Sequence, residues 1–214
     1  SIMNKKPLIL IGGGGHCKSM IEVIESAGTF QIKGIVDVAE KVGESILGYP
    51  IIGTDGEISS YVDGEMNFHI TVGQIYNASL RIKLHQKVKA AGGLLPVVSA
   101  STSMISKHAT VEEGTAVMHQ VVINAGVGVG ACSILNTGCL VEHDAQVGDF
   151  THVSTKSVLN GNVTVGDRCF VGSGAILSNG VIIPSDTLIA AGSTVYKSLK
   201  LPGTYIGFPL RKIK

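Results

Sequence analysis

A histidine between two carboxylates is the clearest candidate for chemistry in this sequence. His143 stands between Glu142 and Asp144 in the segment LVEHDAQVG. A carboxylate beside an imidazole raises the basicity of the ring and fixes its tautomer, which suits a general base. The same three residues also fit a solvated polar corner without chemical consequence. The spacing alone leaves both interpretations open.

A run of four glycines is the second candidate. Residues 12–15 follow the apolar segment PLILI and precede a helix pattern that begins at His16. Such a loop lets a phosphate approach backbone N–H groups at a helix N-terminus. The run is not a GxGxxG fingerprint, because Cys17 stands at the third glycine position, and it is not a P-loop, because no GK[ST] follows. A phosphate-binding loop and a tight turn that binds nothing both remain possible.

Two side chains near the glycine run suit contacts to a nucleotide sugar. Asp37 ends the second predicted strand, 22 residues after Gly15, where an acid can bond a ribose hydroxyl. His16 starts the helix, where the helix dipole disfavours its cation, so a neutral ring would donate to a phosphate or a sugar. Each has a structural alternative, a strand-end turn residue for Asp37 and a helix-start residue for His16.

The second half of the chain has a period of six. From Ile105 to Val195 every sixth residue is Ile, Leu or Val, sixteen in succession. A helix would show a period of 3.6 and a lone strand a period of two, so a period of six indicates a solenoid of short strands and corners. Counting the apolar residue as position one, position five is mostly small and is expected to point inward. Position two, which includes Asn124, Gly130 and Asn136, is expected to hold a positive-φ corner.

The register of the hexads predicts which residues stack. At three hexads per coil, residues 18 apart lie above one another, and the repeat makes about five coils. His143 and His152 are then half a coil apart and can meet only between chains, which predicts a threefold assembly. Thr155, Ser173 and Ala191 fall in one column. That column either forms one wall of a groove for a long ligand or only reflects the preference of solenoid faces for small residues.

The residues before the repeat alternate between strand and helix patterns. Strands are expected at 7–11, 31–37, 50–52, 67–72 and 94–98, and helices at 16–27 and 78–91. The alternation predicts a small parallel α/β domain over residues 3–98. The solenoid then covers residues 99–198, and a basic tail covers residues 199–214.

Composition narrows the classes of partner. The net charge of +1 gives no electrostatic case for nucleic acid or an anionic membrane surface. The four cysteines form no CxxC pair, and Cys139 and Cys169 fall on inward positions, so reduced cytosolic thiols and no cysteine nucleophile are expected. No HxxxH pair occurs, so no metal site is expected. No apolar run approaches the length of a membrane span, and we expect a cytoplasmic protein.

Three features carry a resemblance to a known family. They are the GGGGH loop with IVD and TVG, the unbroken hexads, and the segment VVINAGVGVGACSILNTGCLVEHDAQVGDFTHVS. The hexads over 105–198 resemble the left-handed parallel β-helix of hexapeptide-repeat acyltransferases. The whole chain resembles the bacterial sugar acetyltransferases that include UDP-4-amino-sugar N-acetyltransferases of the bacillosamine pathway and sialic acid O-acetyltransferases. The resemblance implies a Rossmann-like nucleotide-sugar domain, a β-helix that binds acetyl-CoA, and a homotrimer with active sites between adjacent β-helices.

The resemblance also implies roles for individual residues. His143 would be the general base, and Asp144, where relatives often carry Glu, would support its basicity. The remaining implied positions are His152, Gly161, Ser173 and Ala191 for acetyl-CoA, and Gly14, Gly15, His16, Asp37, Gly73 and Asn136 for the nucleotide sugar. Relatives often have two acids where this chain has Asp37-Val38, so that contact departs from the family pattern. The closing segment IGFPLRKI is similar to the family's segment near CoA.

The implied reaction is direct transfer of acetyl from acetyl-CoA to the 4-amino group of a UDP-linked amino-sugar of the UDP-4-amino-4,6-dideoxy-HexNAc type, for glycan biosynthesis. His143 would take the amine proton, and a backbone N–H or His152 would stabilise the oxyanion. Three alternatives stay open: O-acetylation of sialic acid or a capsule sugar, a metalloenzyme of the γ-carbonic anhydrase type, and a non-catalytic binding scaffold.

Overall fold

The structure, a computed structural model, describes residues 5–207 and 210–214. Within this part, the chain forms two compact units. The first runs up to Gly73 and resumes over Ser79–Ser101, and the second contains Gln74–Ala78 and the chain from Thr102 onward. The segment 74–78, which the expected domain over 3–98 included, therefore groups with the hexad repeat. Phe208 and Pro209 of the closing segment IGFPLRKI lie outside the described residues.

The first unit is an α/β fold around a five-stranded sheet. Its elements are β1 (Lys6–Ile11), α1 (Gly15–Ala27), β2 (Phe30–Asp37), β3 (Ser45–Ile46), β4 (Tyr49–Thr54), β5 (Asn67–Ile70) and α2 (Ser79–Ala90), with 3₁₀ helices at Ala39–Lys41 and Asp55–Tyr61 and a short strand at Val98–Ser99. The sheet order is β3-β4-β2-β1-β5. All neighbours are parallel except β3 and β4, which form an antiparallel pair. The predicted Rossmann-like α/β fold is confirmed.

Apolar burial explains why these segments form a sheet and a helix. The four residues at the end of β1, from Leu8 to Ile11, are all buried, as a central parallel strand covered on both faces requires. Helix α1 buries Cys17, Met20 and Ile24 at helical spacing. Gly28, with φ of 68°, ends that helix in the left-handed conformation, and its N–H donates to the Ile24 carbonyl.

The predicted strand over 94–98 is wrong. Only an isolated bridge between Leu94 and Asn67 and the two-residue strand Val98–Ser99 are present there. Pro96 lies between them and has no N–H to donate to a strand ladder, which explains the interruption.

The second unit is a parallel β-helix with three faces. The first face contains Met104–Ile105, Val122–Ile123, Leu140–Val141, Val158–Leu159, Ile176–Leu177 and Thr194–Val195. The second contains Thr110–Val111, Gly128–Val129, Gln146–Val147, Thr164–Val165 and Ile182–Ile183. The third contains Ala116–Val117, Ile134–Leu135, His152–Val153, Phe170–Val171, Thr187–Ile189, Gly203–Ile206 and the antiparallel Arg211–Lys212.

The hexads set the register of all three faces. Val122 pairs with Met104 on one side and with Leu140 on the other, so each strand stacks on the strand 18 residues away. Position five points inward, and its hydroxyls form a buried ladder. Ser133 Oγ donates to the Gly148 carbonyl at 2.7 Å and accepts the Thr151 N–H at 3.0 Å. These bonds satisfy polar groups inside the coil, which keeps small polar residues compatible with the core.

The positive-φ corner lies at position four of the hexad, and the expectation of position two is wrong. From Gly114 to Gly192 every sixth residue has a positive φ, including Asp144 at 64°. This residue is the second of a two-residue turn, the place that requires positive φ in a type II turn. Glycine at position two has another cause. At Gly148 a Cβ would come within 2.7 Å of the backbone atoms Gly166 C and Asp167 N of the next coil.

Candidate active site

An imidazole–carboxylate pair lies at the corner between the first and second faces. His143 follows the strand Leu140–Val141, and its Nδ1 lies 2.9 Å from Asp144 Oδ2. The two side chains are 57% and 58% exposed, so the pair is open to a ligand. Because a carboxylate only accepts, Nδ1 carries the hydrogen and Nε2 of the neutral ring has a lone pair directed elsewhere. This is the tautomer that a general base needs.

The other flanking acid, Glu142, is held away from that role. Its Oε2 accepts the amide of Asn124 at 2.9 Å and the backbone N–H of His143 at 3.4 Å. Glu142 thereby fixes the backbone of the corner. The ring nitrogen Nδ1 is bonded to Asp144 alone of the two carboxylates.

Two glycines of the adjacent coils make room for the pair. A Cβ on Gly161 would lie 2.6 Å from both Cε1 and Nε2 of His143, and a Cβ on Gly126 would collide with the Asp144 carboxylate. Gly126 also has φ of 78°, which disfavours any L side chain. Sequence reasoning missed Gly126, although it stands 18 residues before Asp144 and the stacking register points to it.

His152 lies in a strand of the third face and is nearly buried, with 7% exposure. Its Nδ1 donates to the Gln74 carbonyl at 2.6 Å, and its Nε2 lies 3.0 Å from Asn136 Nδ2. The ring also meets Phe170 edge-on, with centroids 5.1 Å apart. A neutral imidazole has one N–H, and Gln74 takes it. His152 therefore has no N–H left for an oxyanion, and the suggestion that its side chain stabilises one does not fit this geometry.

The column of small residues is present at the corner between the third and first faces. Thr155 Oγ1 lies 2.8 Å from Ser173 Oγ, and the Gly192 N–H donates to the Ser173 carbonyl, which puts Ala191 on the next coil. Ser173 and Ala191 are exposed. Asn136, His152 and Ser173 therefore lie around the third face, whereas His143, Asp144 and Gly161 share a different corner.

The glycine run in the first unit is organised by Asp37. One carboxylate oxygen accepts the Gly13 N–H at 2.9 Å, and the other accepts the Val38 N–H at 2.8 Å. Lys41 Nζ lies 3.5 Å from the same carboxylate. Asp37 therefore holds the loop, and Oδ1, which accepts only the Val38 N–H among the described residues, keeps a second lone pair for a ligand.

The start of α1 remains open for an anion. Gly14 and Gly15 are exposed, an added Cβ would meet nothing within 4 Å, and Gly14 caps the helix without a side-chain hydrogen bond. His16, which is half-buried, lies beside Gly73: a Cβ on Gly73 would be 3.6 Å from His16 Cβ. Helix N-termini with open N–H groups attract phosphate.

The described cysteines are poor nucleophiles. All four are buried and free of disulfides. Burial raises the pKa of Cys139 to about 12 and is the main cause that raises the pKa of Cys169 to about 11. A thiol held neutral in this way does not attack a thioester.

Within residues 5–207 and 210–214, no three His, Cys, Asp or Glu side chains are grouped to hold a metal ion. In the same part of the chain, neither helix is long and apolar enough to cross a membrane.

Comparisons with known proteins agree with the fold. The family model described as the PglD N-terminal domain matches residues 7–88. PerB from Caulobacter crescentus, solved in complex with CoA and GDP-perosamine, is 33% identical, with 97% of each chain covered and a TM-score of 0.90. The acetyltransferase domain of PglB from Neisseria gonorrhoeae FA1090, solved with acetyl coenzyme A, is 27% identical, with a TM-score of 0.90 over 98% of this chain and 100% of that chain.

A third structure, WeeI from Acinetobacter baumannii AYE, is 21% identical and shows the same fold, with a TM-score of 0.85 over 96% of this chain and 99% of that chain. The identity to PerB extends over nearly the whole of both chains. With its α/β unit and left-handed parallel β-helix, the chain belongs to the family of hexapeptide-repeat sugar acetyltransferases.

Proposed function

We propose that this enzyme transfers the acetyl group of acetyl-CoA to the 4-amino group of a UDP-linked amino-sugar of the 4-amino-4,6-dideoxy-HexNAc type. The observation that carries the proposal is the exposed His143–Asp144 pair, whose Nδ1–Oδ2 bond of 2.9 Å leaves Nε2 as an acceptor. PerB, which has CoA and GDP-perosamine bound, supports a nucleotide-linked amino-sugar as the class of acceptor.

The chemistry requires one base and no covalent intermediate. The neutral amine attacks the thioester carbonyl, a C–N bond forms, and His143 Nε2 takes the amine proton. Asp144 stabilises the imidazolium that results. The tetrahedral intermediate then collapses, the C–S bond breaks, and His143 returns the proton to the CoA thiolate. A backbone N–H is the remaining donor for the oxyanion.

Acetyl-CoA is assigned to the β-helix. Ser173 and Ala191 form an exposed column of small side chains along which an extended ligand can lie. Gly161 has no side chain, so the His143 ring can lie directly over it. His152, which is nearly buried beside this column, would support the acetyl-CoA site through its contacts with Asn136 and Phe170.

The nucleotide sugar is assigned to the glycine run. Gly14 and Gly15 would bind the phosphates at the N-terminus of α1, with Asp37 bonding a ribose hydroxyl. His16 and Gly73, which lie side by side, would complete that site. Asn136 would contact the sugar that carries the amine.

We further propose a homotrimer in the cytoplasm with each active site at a subunit interface. The support is geometric, because His143 and Ser173 lie at different corners of one β-helix. A groove that contains both must then combine two chains. Light scattering would measure the mass, and mixing His143→Ala with Ser173→Trp protein would restore part of the activity if one site uses both chains.

A GDP-linked amino-sugar is the second candidate acceptor, because PerB, at 33% identity, was solved with GDP-perosamine. The test is CoA thiol release from acetyl-CoA with a panel of UDP- and GDP-linked 4-amino-sugars and with sialic acid. We expect turnover with the UDP-linked 4-amino-sugar, and kcat lower by roughly 10²–10⁴ in His143→Ala. Turnover with sialic acid alone, or full activity of His143→Ala, would refute the proposal.

A further inference from the structure

Gln74 is a buried residue that no role so far described uses. Its side-chain Nε2 donates to the Phe150 carbonyl at 2.6 Å and, at 3.4 Å, to the Cys169 carbonyl, which are on successive coils. Its Oε1 has no hydrogen-bond partner among the described residues, so the two N–H contacts orient the amide. The side chain thus anchors residue 74 to two successive coils of the second unit, of which Gln74 is a part.

The carbonyl of Gln74 sets the direction of a chain of hydrogen bonds. It lies 2.6 Å from His152 Nδ1, and a carbonyl can only accept, so Nδ1 carries the ring hydrogen. Nε2 of the neutral ring is then an acceptor, and Asn136 must turn its Nδ2 toward it, at 3.0 Å. The Oδ1 of Asn136 consequently faces the Thr137 N–H, which it accepts at 2.7 Å.

Each member of this chain excludes the opposite arrangement. If His152 carried its hydrogen on Nε2, then Asn136 would have to present Oδ1 to the ring and would lose the Thr137 bond. The ring would also present a lone pair to the Gln74 carbonyl, and two buried acceptors facing each other are unfavourable. The half-buried Asn136 is therefore held as a donor, with its second amide hydrogen available to a ligand oxygen.

We propose that Gln74 is a positioning residue that fixes the tautomer of His152 and, through it, the orientation of the Asn136 amide toward the acceptor sugar. This inference rests on the proposed function for its link to substrate. The tautomer itself does not depend on that function. Gln74 follows Gly73, a residue assigned to the nucleotide sugar, directly in the chain.

The test is ¹⁵N NMR of histidine-labelled protein without ligands, with the His152 signals assigned from a His152→Gln spectrum. The wild type should show His152 with hydrogen on Nδ1. Gln74→Met keeps the length of the side chain and the backbone carbonyl, but it removes the two bonds that hold residue 74 and hence that carbonyl in place, so the variant should lose the single tautomer. Gln86→Met makes the same change on the exposed face of α2 and should leave the His152 signals unchanged. A wild-type His152 with hydrogen on Nε2 would overturn the inference.

A second variant separates cause from effect and remains informative if Gln74→Met does not fold. Asn136→Leu removes the partner of Nε2 but leaves the Gln74 carbonyl, so His152 should keep its hydrogen on Nδ1. If the tautomer changes in Asn136→Leu, then Gln74 does not set it.

The kinetic arm measures the link to the substrate. In Gln74→Met the KM for the nucleotide sugar should rise about two- to tenfold, the loss expected for one hydrogen bond, with the KM for acetyl-CoA unchanged. A retained tautomer, or an unchanged sugar KM after the tautomer is lost, would refute the positioning role. Failure of the proposed function would appear differently, as wild-type protein that turns over no sugar on the panel.

Discussion

The imidazole of His143 lies over Gly161 so closely that a Cβ at position 161 would be 2.6 Å from both Cε1 and Nε2. Nε2 is the nitrogen that Asp144 leaves as an acceptor. Because residue 161, one coil away, has no side chain, the imidazole of His143 can occupy this position.

Gly161→Ala should lower kcat by about 10²-fold, because displacing a catalytic group by about 1 Å costs that much. The exposed ring of His143 can rotate away from the new methyl group, so the urea midpoint should stay near that of the wild type. Steady-state thiol release and urea unfolding measure the two effects. Gly56→Ala is the matched control, since its Cβ would meet only Thr54 Oγ1, at 3.6 Å. Wild-type kcat in Gly161→Ala would contradict the assigned position of the base.

Asp144→Asn should reduce kcat by about 10²-fold and leave the KM for acetyl-CoA unchanged. The amide can still accept from Nδ1, but it carries no charge to stabilise the imidazolium. The kinetics of acetyl-CoA at saturating sugar measure this. Asp63→Asn changes an exposed carboxylate that accepts only backbone N–H bonds, and it should behave as wild type. A similar kcat in Asp144→Asn and Asp63→Asn would argue against a catalytic role for the His143–Asp144 pair.

Gly148→Ala should destabilise the β-helix by about 2–3 kcal/mol. Its Cβ would lie 2.6 Å from Gly166 C and 2.7 Å from Asp167 N, and these backbone atoms cannot move aside without shifting a coil. Urea unfolding at fixed protein concentration measures the loss, with Gly56→Ala again as the control. The contrast with Gly161→Ala is the informative result, because there the obstructing atoms belong to an exposed side chain. Equal midpoints for Gly148→Ala and wild type would show that adjacent coils are less tightly packed than described.

His69 should make the protein less stable in mild acid. Burial, and then the nearby Arg81 guanidinium, lower the pKa of His69 to about 3 from an ordinary value of 6.5. Between those values the unfolded chain binds the proton and the folded chain does not, so stability falls as the pH drops below about 6.5. The free energy of unfolding should decrease by about 2 kcal/mol from pH 6.5 to pH 5 through this group.

The comparison with His69→Leu isolates that contribution. Both ring nitrogens of His69 are buried without a hydrogen-bond partner among the described residues, so Leu removes the titration without breaking such a bond. Urea unfolding at pH 7, 6 and 5 should give a flatter profile for the variant. The same slope in both proteins would assign the acid sensitivity to other groups.

The order of elements could be read from the sequence because it depends on local repetition. Every coil needs an apolar residue at the same inward positions. Sixteen apolar residues at a spacing of six therefore predict the stacking of residues 18 apart, such as Val122 and Leu140. The α/β unit was predictable for a similar reason, since buried strands such as β1 are continuous apolar runs. The position of the positive-φ corner was not, because many residue types occupy position four and glycine at position two has a packing cause.

Some features of the candidate site could likewise be predicted from the sequence, and others could not. The pairing of His143 with an acid was foreseeable, because the two residues are adjacent in sequence, and the family resemblance pointed to Asp144, although the residue pattern by itself did not distinguish it from Glu142. The tertiary structure alone decided that Asp37 holds Gly13 and that the Gln74 carbonyl takes the hydrogen of His152. These two contacts join residues 24 and 78 positions apart. A pattern of residue types does not specify which lone pair faces which N–H across that distance, and only the packed backbone does.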